Sequence, residues 1–266
     1  MRYKILFIML MGFVIWYLQC QEEAYGMPYS EYPATTLGSL QLDHIQDRIN
    51  DAFIQSIMSK KADGLSAIRS ELQTLEKSHD NPLIKYWEGY LQYYYAIFYI
   101  QANNKADSEK ETETGLDALN EIANKNSEDL AMLALLQSFS IQFKSGMEAG
   151  AMSSKVKNNV KKAIKLDEQN LRAYYVAGSN DYYTPEKYGG GAEVENYLLK
   201  AISLPDQKIK SVVLPSWGKE SAYEMLIKWY IKKENWAKAK QYFTEANTLY
   251  PQNYPISQLA VKLVNK

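Results

Sequence analysis

The sequence predicts an all-α fold built from paired helices, and three observations support this. From about residue 40 onward, apolar residues recur at spacings of three and four, which is the helical period. No stretch of useful length alternates apolar and polar residues as a strand would. Helix-like segments of similar length are separated by short turns that hold Asn, Pro or Gly. We therefore expect about five helix pairs between residues 40 and 266.

Composition narrows the function classes. The chain has 266 residues, of which 46% are hydrophobic and 23% are charged, with a formal net charge of −1. This is globular composition without the basic excess of a nucleic-acid-binding protein, so we expect no nucleic-acid partner. Two histidines and one cysteine leave little for a metal site or a disulfide, and we expect no metal and no cofactor.

The first twenty residues have the pattern of an export signal. Arg2 and Lys4 precede an uncharged apolar run over residues 5–18. As a helix this run would rise about 21 Å, which is short of the roughly 30 Å of a bilayer core. We interpret residues 1–20 as a signal peptide. The alternative is a short membrane anchor that is never cleaved.

Cys20 ends the apolar run and is the only cysteine, so it is a candidate for lipidation. Bacterial lipoprotein signals place a small residue just before the cysteine, however, and Gln19 is not small. Small residues at Ala24 and Gly26 offer ordinary cleavage instead. Both alternatives stay open, and membrane association is expected only if Cys20 is lipidated. Residues 21–39 are polar and hold Pro and Gly, so they are interpreted as a linker to a helical-repeat domain over residues 40–266.

Local signals place the helices. Asn81-Pro82 is an N-cap followed by proline at the first helical position, Ser108 with Glu111 has the spacing of a capping box, and Pro251 follows a helix end. The predicted helices cover 41–59, 62–77, 83–102, 108–124, 128–143, 154–166, 171–183, 192–203, 218–233, 236–249 and 256–264.

The C-terminal helices carry a repeat pattern. A run of large apolar, aromatic and small residues falls at successive offsets of 4, 6, 3, 4, 3 and 5, namely Leu226, Tyr230, Trp236, Ala239, Phe243, Ala246 and Pro251. This run resembles the tetratricopeptide repeat (TPR). Ala239 and Ala246 lie about two turns apart on one helix face, where small side chains let two helices approach closely. A weaker copy occurs upstream, in which Ala163, Gly178 and Ala201 hold small positions.

Two insertions interrupt the repeat. Ala163 and Ala201 are 38 residues apart, and Ala201 and Ala246 are 45 apart, whereas the usual period is about 34. The first insertion is TPEKYGGG at residues 184–191. It lacks the preceding strand and the following Lys-Ser/Thr of a phosphate-binding loop, so we interpret its glycines as a tight turn with positive φ. The second insertion, residues 206–218, is apolar enough to pack on the solenoid or to line its groove.

The two insertions together carry a narrower resemblance. A TP–aromatic–GGG turn followed by LPSWG before the last repeat resembles exported bacterial TPR proteins with no assigned chemistry, over roughly residues 82–251. The resemblance implies a right-handed TPR-like α-solenoid in the bacterial cell envelope, in the periplasm or at the outer membrane. Residues 41–80 match poorly and are either a divergent repeat or a cap.

Catalytic motifs are missing from the sequence. His44 and His79 have no metal-ligand spacing, and neither an HExxH nor a GxSxG motif occurs. We therefore expect no enzymatic activity.

An aromatic cluster is the candidate for binding. YWEGYLQYYYAIFY, residues 86–99, holds more rings than one buried stripe needs, and Tyr86 and Tyr90 share a face with Tyr93 and Tyr94. The alternative is a tyrosine-rich core in which each hydroxyl reaches water or a partner.

In the repeat frame, the first helix of each pair lines a concave groove. The predicted groove residues are Tyr86, Tyr90, Arg172, Tyr175, Ser179, Tyr182, Tyr183, Ser221, Glu224, Lys228 and Lys232. Because tyrosine offers apolar area and a hydroxyl at low entropy cost, such a groove suits an extended protein segment. The prediction is thus a scaffold that binds an envelope protein. A glycan or organic solute, bound by an accessory protein of a transport system, is the alternative.

Overall fold

A computed structural model describes residues 25–266, and this part of the chain is helical without strands. The α-helices are α1 (Ala34–Ser39), α2 (Ile45–Ser59), α3 (Asp63–Ser78), α4 (Pro82–Gln101), α5 (Lys105–Glu121), α6 (Ser127–Ser140), α7 (Gly146–Leu166), α8 (Leu171–Tyr183), α9 (Val194–Ser203), α10 (Lys219–Lys232), α11 (Trp236–Leu249), α12 (Tyr254–Ser257) and α13 (Ala260–Leu263). Short 3₁₀ turns occur at Tyr29–Glu31, Ile141–Phe143 and Glu186–Tyr188.

The helices form an α-solenoid of pairs, as predicted. The pairs are α2/α3, α4/α5, α6/α7, α8/α9 and α10/α11, and the two helices of each pair pack on each other. The first helices α2, α4, α6, α8 and α10 also pack side by side, and each second helix packs on the first helix of the next pair. The first helices therefore make one layer and the second helices the other. We call the free side of the first-helix layer the inner face.

Small residues let the paired helices approach. A Cβ added at Gly178 on α8 would lie 2.7 Å from a Leu198 side-chain carbon on α9. Gly89 on α4 has the same relation to Leu119 on α5, again at 2.7 Å. Ala239, one of the small positions of the sequence pattern, is fully buried. The close approach that the repeat pattern predicts is thus present in successive pairs.

Several predicted helix boundaries were wrong. Helix α5 begins at Lys105 because Asn104 caps it, accepting from the Asp107 amide at 3.2 Å. The capping box at Ser108 does not form, since that hydroxyl is buried and donates to the Ala96 carbonyl at 2.7 Å. Its expected partner Glu111 forms an ion pair elsewhere. Helix α7 starts well before residue 154, and the last predicted helix is two short helices, α12 and α13.

The glycine-rich insertion is a tight turn, as predicted. Gly189 and Gly191 have φ angles of +80° and +89°, which L-residues with side chains rarely adopt. A Cβ at Gly190 would lie 1.8 Å from the Thr184 carbonyl oxygen. The Gly191 amide donates to the Asp181 carbonyl at 3.1 Å and closes the turn onto the end of α8.

The segment before α2 differs from the expected linker. Tyr29 is buried, and its hydroxyl donates to the Asp129 carboxylate of α6 at 2.5 Å. The Asn126 side-chain amide donates to the Met27 carbonyl at 3.1 Å. Residues 25–39 are therefore packed on the helical body, because Tyr29 supplies both a buried ring and a hydrogen-bond donor.

The predicted signal peptide, Cys20 and the linker residues up to 24 lie outside the described residues. Within residues 25–266, no helix has both the length and the hydropathy that a membrane span requires.

Candidate functional site: the inner face and its strap

The inner face is concave, because side chains from non-adjacent first helices approach one another across it. Tyr93 on α4 lies close enough to Tyr175 and Tyr183 on α8, and to Glu224 on α10, for these groups to raise its pKa. Burial is the largest cause of that rise, which takes the pKa of Tyr93 well above its ordinary value. The first helices therefore enclose a groove.

The second insertion, residues 206–218, crosses this groove, and we call it the strap. Its Val213 carbonyl accepts from the Trp87 indole of α4 at 3.0 Å. Its Ser216 amide donates to the Gln46 side chain of α2 at 2.8 Å. These contacts join the loop before α10 to helices more than a hundred residues earlier in the chain. The strap thus covers the half of the groove nearest the N-terminal ends of the first helices, which we call the covered half.

Trp217 anchors the strap. Its indole N–H donates to the Tyr86 hydroxyl at 2.7 Å. Its ring lies against Tyr90 of α4 and Tyr175 of α8, with centroid distances of 5.9 and 6.2 Å. The strap residues Val213 and Leu214 are also buried. The strap both packs on the solenoid and lines the groove, which are the two alternatives predicted from its sequence.

Arg172 is held by this arrangement and is only 4% exposed. Its guanidinium forms a two-bond ion pair with Glu128 of α6. It also donates to the backbone carbonyls of Asp206 and Trp217, at 2.9 and 3.2 Å. Although burial by itself lowers the pKa of Arg172, its pairing with Glu128 raises it. Arg172 therefore ties the strap to α6 and α8.

The prediction that Tyr86, Tyr90, Arg172 and Tyr175 line an open groove needs correction. All four belong to the inner-face side of their helices, but the strap and neighbouring helices bury them, and Ser179 is buried as well. Tyr86 and Tyr90 are 0% and 1% exposed. Sequence reasoning missed this because it treated the groove as empty, whereas the chain fills half of it with its own residues.

The other half of the groove, which we call the open half, begins one turn further along the first helices. Its predicted residues Tyr182, Glu224 and Lys228 are half-buried, Lys232 is exposed, and Tyr183 is 67% exposed. The open half also contains four half-buried rings that were not among the predicted groove residues, namely Phe53, Tyr93, Tyr94 and Phe139. Of these, Tyr93 and Tyr94 were predicted to share a helix face with Tyr86 and Tyr90.

A signal for two of these rings was present in the sequence. Tyr182 and Tyr183 follow Gly178 by four and five residues, and Tyr93 and Tyr94 follow Gly89 by the same spacing. Both glycines face a leucine of the second helix in the pair. Aligning the two helices on their glycines would have placed Tyr93 and Tyr94 in the open half.

The charged groups of the open half are engaged within the protein. Lys228 pairs with Glu224 one turn away on α10. Burial tends to lower the pKa of Lys228, but the hydrogen bond to Glu224 raises it above its ordinary value. The Lys232 ammonium lies 5.3 Å from the centre of the Tyr182 ring. The open half is consequently an aromatic surface with the Lys228–Glu224 pair and the exposed Lys232 at its edge.

A separate pocket of about 270 Å³ lies beside the covered half, among the residue 26–31 segment, the start of α8 and the strap. Arg172 and Asp206 are among its lining residues. One carboxylate oxygen of Asp206 is buried and has no hydrogen-bond partner among the described residues. Polar and apolar groups line this pocket in equal parts, and its volume is close to the smallest that is typical of small-molecule sites.

Beneath this region, Asp129 is a buried carboxyl group. Burial raises its pKa to about 7, although hydrogen bonds from Tyr29 and from the Asn126 amide act in the opposite direction. Among residues 25–266, no cluster of three or more His, Cys, Asp or Glu side chains could hold a metal ion. His44 contacts Asp47 at 3.2 Å, and His79 contacts Ser78 at 2.9 Å.

Comparison with known proteins supports the architecture. No protein-family model and no curated protein matches the chain. A solved structure of a thermophilic TPR protein from Thermus thermophilus matches it with a TM-score of 0.53 and 12% sequence identity, over 81% of this chain and 99% of that chain. At such identity the likeness concerns the fold alone. The fold of this chain is therefore an all-α, TPR-like solenoid.

Proposed function

We propose that this TPR-like solenoid is a non-enzymatic interaction module that binds a segment of a partner protein in the open half of its groove. One observation carries the proposal. The open half presents rings from α2, α4, α6 and α8 on one concave surface, and Tyr183 in particular keeps two-thirds of its side chain accessible. Tyrosine is a residue type that protein interfaces favour, because it offers apolar area and a hydroxyl at low entropy cost.

The proposal includes neither an activity nor a cofactor. The residues that line the open half offer aromatic rings and a Lys228–Glu224 pair that is already satisfied within one helix. Catalysis would need a positioned nucleophile or an acid and a base held toward a shared space. The groove residues supply recognition chemistry instead.

We place this function in the bacterial cell envelope, in the periplasm or at the outer membrane. The basis is the apolar run of residues 5–18 and the cysteine that follows it. Fractionation of producing cells tests the placement. If Cys20 is lipidated, the wild-type protein sediments with membranes and the Cys20→Ala variant moves to the soluble envelope fraction. If both remain in the cytoplasm, the placement is wrong.

Site-specific photo-cross-linking in producing cells tests the groove. A photoreactive residue replaces Tyr183 or Lys232 in the open half, or Lys157, which is exposed on the second-helix layer, as the control. We expect one adduct of the same mass from both groove positions and none from position 157. Adducts that appear equally at all three positions, or only at 157, would contradict binding in the groove.

A second candidate function is binding of a small glycan or organic solute for a transport system. It is favoured by the 270 Å³ pocket and the unpartnered Asp206 oxygen that lies within its lining residue set. A thermal-shift screen of neutral sugars and organic acids tests it. A ligand that raises the Tm of the wild type but not of an Asp206→Ala variant would favour this function over the first.

A further inference from the structure

Helix α7 differs from the other second helices in its charge. Between residues 149 and 166 it has no acidic residue and five lysines, namely Lys155, Lys157, Lys161, Lys162 and Lys165. The whole chain, by contrast, has a formal net charge of −1. Helix α7 is therefore a local concentration of positive charge on a nearly neutral protein.

The lysines of α7 lie on its solvent side. The helix packs on the body through Val156, Val160 and Ala163, which are buried and share one side of it. All the lysines except Lys162 are exposed. These four exposed lysines form no ion pair with any other side chain of residues 25–266. Four ammonium groups are thus available to a partner, and we call the surface that they form the lysine face.

The acidic residues that are nearest in the sequence do not cancel this charge. Glu148 is in the first turn of α7, and Asp167 and Glu168 follow its last residue. Asp167 pairs with Lys208 at 2.9 Å. None of these three carboxylates forms an ion pair with the lysine face, which therefore keeps its positive charge along about three turns of helix.

The position of α7 in the solenoid suits a flat partner. It is the second helix of the third pair among five, and so the middle helix of the second-helix layer. Because the inner face is concave, this opposite side of the solenoid is convex. A flat surface that approaches the convex side meets α7 first. Helix α5, whose Glu113 and Asp117 are exposed, lies further back from such a surface.

The described chain also begins beside the end of this helix. Gly26 and Leu166, the last residue of α7, line the same pocket of about 270 Å³. Cys20 is six residues before Gly26, and six extended residues span at most about 22 Å. If Cys20 or the apolar run of residues 5–18 is held in a membrane, the end of α7 is therefore kept close to the lipid headgroups.

We propose that the lysine face of α7 binds the anionic headgroups of a membrane surface. Lysines near an anionic lipid surface are each attracted to it, and several together hold a protein there. The inference goes beyond the proposed function, because the lysine face lies on the side of the solenoid opposite to the groove. Bound in this way, the protein directs the open half of its groove away from the membrane.

Co-sedimentation of the purified full chain with lipid vesicles tests the inference. The vesicles consist of phosphatidylcholine alone, or of phosphatidylcholine with about one-third phosphatidylglycerol, which is anionic. We expect stronger binding to the anionic vesicles. This preference should disappear at about 1 M salt, where the Debye length falls to about 3 Å. Every variant keeps the same residues 1–24, so the apolar run contributes equally to all of them.

Two triple variants locate the binding surface. The first combines Lys157→Gln, Lys161→Gln and Lys165→Gln on the lysine face. Since each lysine contributes about fivefold, the preference for anionic vesicles should fall about a hundredfold. The second removes the same charge from exposed positions outside α7, by Gln substitution of Lys61, Lys77 and Lys262. We expect this control to bind as the wild type does. Because Gln and Lys have similar helix propensities, both variants should keep the wild-type Tm.

Equal binding to neutral and anionic vesicles overturns the inference, and so does a lysine-face variant that keeps the wild-type preference. A loss of the same size in the control variant also overturns it, because overall charge would then decide binding. The other occupant of such a face is an acidic partner protein, which the photoreactive residue at position 157 tests in producing cells. A protein adduct at that position would exclude the lipid assignment. The adducts expected at positions 183 and 232 test the proposed function separately.

Discussion

The two halves of the groove are built from successive turns of the same first helices, yet one is buried and the other is accessible. In the covered half, Tyr86 and Tyr90 are sealed beneath the strap, and Trp217 satisfies the Tyr86 hydroxyl. In the open half, Tyr183 is exposed and no segment of the described chain covers its ring. The difference shows that a tyrosine on the inner face becomes structural where the strap covers it and stays accessible one turn further along, where no loop of residues 25–266 covers it.

The halves also differ in where their charges lie. Arg172 and Glu128 form a buried pair beside the covered half, and Asp129 is fully buried next to them. The open half carries its charges on partly exposed lysines and Glu224. Buried charges make the covered half a source of pH-dependent stability, whereas exposed pairs contribute little to stability.

The largest expected effect is a pH dependence that arises beside the covered half. Because the pKa of Asp129 is raised to about 7 in the folded state, the native protein binds this proton more tightly than the unfolded chain does. Asp129 therefore makes the free energy of unfolding fall as pH rises from about 4 to about 7, by up to about 4 kcal/mol, and has no further effect above that. Urea denaturation across this range should show that Asp129→Asn flattens the slope.

A second, half-buried carboxyl group, that of Glu88, also makes the free energy of unfolding depend on pH. Burial, with Glu76 adding to it, raises the pKa of Glu88 to about 7. Part of the slope should thus remain in Asp129→Asn and disappear when Glu88→Gln is added. A slope in Asp129→Asn that equals the wild-type slope would show that Asp129 does not hold its proton near neutral pH.

The next effect concerns the strap itself. Trp217→Ala removes a ring packed against Tyr90 and Tyr175 together with one hydrogen bond, so the free energy of unfolding should fall by about 3 kcal/mol. Tyr183→Ala, the matched change in the open half, should alter it by less than about 0.5 kcal/mol. Chemical denaturation of both variants checks the contrast. Equal losses would mean that the two halves are not distinguished by burial.

The smallest expected effect concerns the close approach of α4 and α5 at Gly89. Both halves of the groove depend on this approach, because α4 supplies rings to each. Gly89→Ala places a Cβ 2.7 Å from Leu119 and should cost about 2 kcal/mol. The control is Gly150→Ala, at an exposed position of α7 where a Cβ meets nothing within 4 Å. That change should stabilise the protein by up to about 1 kcal/mol. Thermal unfolding of the two variants should therefore shift in opposite directions.

The fold was more predictable than the site, for a physical reason. Helical periodicity, the small positions Ala239 and Ala246, and prolines at helix ends act within one or two helices, and they gave the pairs and their order. The capping box at Ser108 failed because tertiary burial redirected the hydroxyl to the Ala96 carbonyl. For the groove, the sequence predicted Tyr182 and Tyr183 as binding residues, which stays a prediction, and it did not indicate Phe53 and Phe139.

By itself, the sequence determined an all-α solenoid of about five helix pairs, a tight glycine turn and a second insertion too apolar to be a free linker. These follow from local periodicity, backbone φ and hydropathy, which each short stretch carries alone. Only the tertiary structure decided where that insertion lies, and with it which tyrosines remain accessible. The contacts of Trp217 with Tyr86 and of Ser216 with Gln46 join residues 131 and 170 positions apart. Such contacts depend on the curvature of the whole solenoid, and no local pattern in the sequence encodes that curvature.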